Sequence, residues 1–86
     1  MLRPMTLELL ETLEIVDDDV TAVVNAYMSD PKRGPIVFGG GYRIDPAPAV
    51  AGHPFASTLM QQPWASDELR RAAVRAAILL AEPERA

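Results

Sequence analysis

Acid–base or nucleophilic chemistry at neutral pH is most readily built from a histidine with a carboxylate and a hydroxyl in reach. This chain offers one such set: Asp45, His53 and Ser57. A histidine base needs an acid to orient it and a nucleophile within hydrogen-bond distance. No recognised spacing links these three, so a His-centred small enzyme stands as an alternative, behind a loop histidine with a structural role. Gly39-Gly40-Gly41 invites a phosphate-cradle reading, with Lys32 and Arg33 nearby in sequence. That chemistry wants backbone N–H groups converging at the start of a helix. The residues that follow, Tyr42-Arg43-Ile44, look like a strand, so a hairpin turn needing positive φ is the favoured reading. Asp17-Asp18-Asp19 could suggest a hard-cation site, but a calcium loop needs acids at alternate positions, a central glycine and a distal Glu. The pattern fits a capping or solvated acidic turn instead.

Arg70, Arg71 and Arg75 form the one basic cluster and, with Lys32 and Arg33, are the candidate anion contacts. A nucleic-acid regulator would add Asn, Gln, Ser or Thr beside them to read base edges. This stretch offers alanine. A salt-bridged contact with the acidic first third is favoured over duplex binding.

The elements that must position these groups begin with Thr6 to Ser29. Leu9, Leu13, Val16, Val20, Val23 and Tyr27 recur at steps of three and four, the spacing of one helical face. The three aspartates interrupt it, because Asp competes for backbone donors inside a helix. Capping chemistry favours a break there, with Asp17 or Asp18 opening a second helix. The alternative is one helix of about six turns. A strand over Leu7 to Val16 is the rival reading, and Glu11 breaks its alternation. Asp30-Pro31 predicts the stop. Ile36-Val37-Phe38 and Tyr42-Arg43-Ile44 predict a small hairpin across the glycines. Residues 45–54, with three prolines and a glycine, read as an extended crossing that is neither helix nor central strand. Phe55 to Gln62 suggests two helical turns closed by Pro63-Trp64. Trp64, the single tryptophan, is expected to anchor a core or an interface. Ser66 predicts the N-cap of the clearest helix, with a stripe over Leu69, Ala73, Ala76, Ala77 and Leu80. Pro83 should stop it, leaving 84–86 as a frayed tail.

Size and charge narrow the classes. The chain has 86 residues, no cysteine and one histidine, so one domain over 1–86 is expected, without disulfides, cofactor or metal. Net charge is −4, split between residues 1–30, with seven acids against one base (−6), and residues 31–86, with seven bases against five acids (+2). An acidic chain disfavours nucleic acid as the partner. The longest apolar run, Ala76 to Ala81, falls far short of the roughly 20 residues a membrane span needs. The opening residues lack the pattern of a secretory leader, so a cytoplasmic protein without membrane contact is expected.

The resulting expectation is a helix-rich α+β fold: an N-terminal long helix or helix pair, a small β-hairpin, a short helix and a C-terminal helix. A core this small is marginal, and the apolar stripe is wide. The expected function is therefore a non-enzymatic interaction module, a regulatory or accessory subunit. It would pair with itself as a homodimer or dock on a larger protein through Leu9, Leu13, Val16, Val20, Val23, Tyr27 and Trp64.

Overall fold

The computed structural model describes residues 3–86. Among them are five helices and a three-stranded antiparallel sheet, a helix-rich α+β fold.

Helix α1 (Thr6–Glu11) starts where the Met5 N–H donates to Glu8 Oε1 at 3.1 Å. Thr6 is fully buried, and both its N–H (2.8 Å) and its hydroxyl (3.1 Å) donate to the Ala81 carbonyl. The first helix is thereby clasped to the end of the last. The chain then breaks before the aspartates. Leu13 adopts φ 63°, and the Leu9 carbonyl accepts from Glu14 N–H (3.0 Å), Ile15 N–H (3.3 Å) and the Thr12 hydroxyl (3.3 Å). This tight reversal drives Ile15 into the core and turns Leu13 outward, 81% exposed.

Helix α2 spans Asp17–Ser29. The expected break is present, but neither Asp17 nor Asp18 is the cap. Val16 occupies that position, and its N–H donates to Asp19 Oδ2 at 2.9 Å. All three aspartates fall in the first turn, where negative charge complements the helix dipole. The helix ends as expected at Asp30, whose carboxylate accepts from the Lys32 N–H at 3.1 Å.

The hairpin pairs β1 (Ile36–Phe38) with β2 (Tyr42–Ile44), placing Ile36 opposite Ile44 and Phe38 opposite Tyr42 on the buried face. Gly39 and Gly40 turn the chain at φ 60° and 75°. A side chain at Gly39 would also overlap the Ile15 Cγ2 methyl, so this turn is where the α1–α2 reversal seats on the sheet.

The proline-rich segment corrects the sequence reading. Residues Pro46–Ala51 form helix α3, and Pro54–Gln61 form α4. Pro46 and Pro54 begin their helices, and Pro48 lies within the first turn of α3. There a missing N–H breaks no ladder bond, because the first four donors of a helix lack intrahelical partners. Proline spacing here starts helices instead of preventing them.

Helix α5 (Asp67–Leu80) opens on the expected cap, the Ser66 hydroxyl oxygen accepting from the Leu69 N–H at 3.1 Å. Its buried face is Ala73, Val74, Ala77 and Ile78. The predicted stripe was offset: Leu80 is exposed, and the β-branched Val74 and Ile78 take the core. The expected frayed tail is ordered as β3 (Glu84–Arg85), which pairs with β2.

Four of the six stripe residues, Leu9, Val20, Val23 and Tyr27, are buried within this one chain, together with Ile15, Phe38, Val50, Leu59 and the α5 face. The reversal at Leu13 breaks the stripe, leaving Leu13 and Val16 outside.

Gly39→Ala should cost about 2–4 kcal/mol, from left-handed strain plus the overlap with Ile15. Gly40→Ala has open space beside it. It should cost only about 1–2 kcal/mol. Urea unfolding of the two variants checks the difference.

Candidate functional site

The surface offers three places where side chains gather: the arginines of α5, the cleft beside the sheet, and the side of α4.

On α5, Arg75 is hydrogen-bonded to Asp17 of α2. Arg71 reaches Asp67 Oδ2 at 2.9 Å and also Asn25 of α2. Arg70 donates to the Gln62 carbonyl, and its Nε is buried without a partner. The basic cluster is therefore engaged inside the fold, crossing to the acidic first third. A groove of about 190 Å³ lies open between α2 and α5, lined by Thr21, Val24, Asn25, Arg71, Ala72 and Arg75. Lys32 and Arg33 lie exposed in the turn after α2, and none of the described hydrogen bonds or ion pairs joins them to the α5 arginines.

The His53 ring has a local task. Its Nδ1 accepts from the Ala56 N–H at 3.1 Å and caps α4. None of the described hydrogen bonds links it to Asp45 or to the Ser57 hydroxyl. Ser57 touches it through the backbone, donating its N–H to the His53 carbonyl at 2.9 Å. Asp17, Asp18 and Asp19 do not converge either, and no three of His, Asp and Glu gather as ion ligands among the described residues.

A cleft of about 570 Å³ lies between α3, the sheet and the C-terminal segment. Pro35, Ile44, Pro48, Ala49 and Ala81 give it an apolar wall, and Arg3, Arg43, Asp45, Glu82 and Glu84 give it charge. Glu84 bridges Arg43 and Arg3, each at 3.0 Å. Those two guanidiniums, Arg43 foremost, hold its carboxyl below the usual range. Sequence reasoning missed this site, since its parts come from both ends of the chain and from the hairpin. A faint signal was the charge pattern of Glu82, Glu84 and Arg85 around Pro83.

Phe55 lies in the first turn of α4, and Gln62 is the residue that ends the helix. The Trp64 indole N–H donates to Gln62 Oε1 at 3.2 Å, which ties the ring to the end of α4. Trp64 is 66% exposed and Phe55 56%. The tryptophan is not a core anchor. Like Phe55, it lies on the surface.

Comparison with protein-family models, curated proteins and solved structures finds no match for this chain. Among the described residues, no helix is long and apolar enough to cross a membrane.

Two outcomes follow from these contacts. With Arg71 and Arg75 paired to α2, duplex DNA should show no salt-dependent binding even at low ionic strength, as read by fluorescence anisotropy. Glu84 has a lowered folded pKa, so its contribution is present above the ordinary carboxylate range and is lost as pH falls through that lowered value. The Ala86 amide, bonded to the Gly41 carbonyl at 2.9 Å, should change NMR shift over that acidic window in wild type and not in Glu84→Gln.

Proposed function

We propose that the protein is a small non-enzymatic interaction module, a cytoplasmic accessory or regulatory subunit that self-associates or docks on a larger protein. The observation that carries this reading is two exposed aromatics, Phe55 in the first turn of α4 and Trp64 in the turn that follows the helix. Exposed tryptophan and phenylalanine gain little in water. Buried in an interface, they are among the side chains that dominate binding. The indole is held by Gln62, so docking orders less side-chain freedom than a loose ring would require.

The N-terminal region contributes less surface than its sequence implies. Leu9, Val20, Val23 and Tyr27 serve the core, which leaves Leu13 and the half-exposed Val16 at the α1–α2 reversal. These two aliphatics stand out on a backbone fixed by three bonds to the Leu9 carbonyl, so they too are presented with little mobility.

Sedimentation equilibrium over a dilution series tests the self-association form. The expected mass rises above 9.4 kDa with concentration. Phe55→Ala with Trp64→Ala should weaken association at least about ten-fold, the scale of losing one aromatic anchor. Leu13→Asp should weaken it less. A mass that stays monomeric at every concentration removes self-association. Docking on a larger protein is then tested with the complex purified from its source, which must lose the subunit when Phe55 and Trp64 are replaced.

A further inference from the structure

Strand β3 is two residues long and pairs with β2 alone. Glu84 and Arg85 are both exposed, pairing opposite Arg43 and Tyr42 of β2. Along an extended chain successive side chains point to opposite sides. Pro83 is buried, and the Arg85 guanidinium lies 5.3 Å from the Tyr42 ring centroid. Glu82 and Glu84 line the cleft on the other side.

Of these two glutamates only one is matched. Glu84 meets Arg43 and Arg3. Continuing the register in which Glu84 faces Arg43 brings Glu82 beside Asp45. Both line the same cleft, like charge against like charge, next to the apolar Pro35, Pro48 and Ala49. None of the described ion pairs engages either carboxylate. An aliphatic side chain at the place of Glu82 would relieve the repulsion and cover that wall. The cleft has the volume of a ligand pocket, roughly 300–1,000 Å³, and the resident segment leaves it open. Without Glu82 and Glu84, its charged residues are Arg3 and Arg43 against Asp45, so its sign turns from negative to positive.

We propose that the outer edge of β2 and this cleft form a docking site for an extended segment of a partner protein. The segment carries an apolar residue, then a proline, then an acid followed by a base. Residues 82–86 are its weak resident occupant. Backbone bonds to a free strand edge supply affinity in this mode, and alternate side chains supply specificity. The acid replaces Glu84 between Arg43 and Arg3, the base replaces Arg85 over Tyr42, and the apolar residue replaces Glu82 against Pro35 and Pro48. Exchange is favoured over simple release: the resident ion pairs are exposed and share one carboxylate, and an incoming segment regains the backbone pairing, the Pro83 burial and the contact over Tyr42 that the resident strand gives up. The hinge is defined: Thr6 fixes the Ala81 carbonyl, so movement begins at Glu82. This site uses none of the α4 aromatics and stands independently of them.

The test is fluorescence anisotropy with two labelled hexapeptides and the full chain. One peptide is Ala-Glu-Pro-Glu-Arg-Ala, the sequence of residues 81–86, and the other has Leu in place of its first Glu. The Leu peptide should bind wild type at least ten-fold more tightly than the unmodified one. Both should bind Glu84→Lys at least ten-fold more tightly than wild type, since Arg3 and Arg43 repel the altered resident strand. Both should lose binding to Arg43→Glu, and neither should change with Trp64→Ala, which separates this site from the exposed Trp64 surface. Far-UV circular dichroism checks the fold of each variant, and Glu84→Gln replaces Glu84→Lys if helix content falls. Absence of binding to the released variant at millimolar concentration overturns the proposal, as does undiminished binding to Arg43→Glu. Equal affinity of the two peptides overturns the apolar subsite and makes residues 82–86 of a second copy the occupant.

Discussion

The fold depends on how closely other elements can approach one face of α5. Ala73 and Ala77 sit at its centre with Val74 and Ile78 beside them, all four buried. Methyl-sized side chains bring neighbouring backbones near, and α5 packs against each of the other four helices. Larger residues there would push α2 and α4 apart together, since close-packed interiors do not absorb extra volume locally. The helix that looked plainest in sequence is therefore the hub. The long N-terminal stripe is one of its clients.

Two polar devices fix the elements around that hub. The Leu9 carbonyl gathers three donors and reverses the chain, placing Ile15 against Gly39 and so setting α1 and the hairpin relative to each other. The Ala81 carbonyl takes both Thr6 donors and ties the start of the described chain to the end of α5. Buried donors left unpaired cost about 1–3 kcal/mol each. Both devices satisfy such groups where a small core has little apolar area to spare. Charge works alongside them: the acidic first third and the basic α5 meet inside one subunit through Asp17, Asn25, Arg71 and Arg75. The split in sign along the chain serves the fold more than it serves a polyanion.

What remains for recognition lies at the edges of this arrangement. The start of α4 and the turn after it each present an aromatic that the core does not use, and β2 presents an edge held by a two-residue strand. Both places lie away from the stripe that first suggested a docking role. Apolar side chains that recur at helical spacing go to whichever neighbour can cover them, and here the neighbour is the same chain.

Local chemistry was enough to read several parts from residues alone. Ser66 with Asp67 and Glu68 announced a helix start, Asp30-Pro31 a helix stop, and paired apolar triplets around glycines a hairpin, because each signal acts within a few residues. The break before the aspartates was legible for the same reason, though the capping contact passed to Val16 and Asp19. Residues 45–54 were misread because proline was counted and not placed; at the first turn of a helix its lost donor has no partner to lose. The burial of four stripe residues, the offset of the α5 face, the ordering of Glu84 and Arg85 on β2, and the cleft shared by Arg3, Arg43 and Glu84 were decided only by tertiary structure. Each depends on residues far apart in the chain meeting at one point, and spacing along a sequence carries no record of what lies across from it.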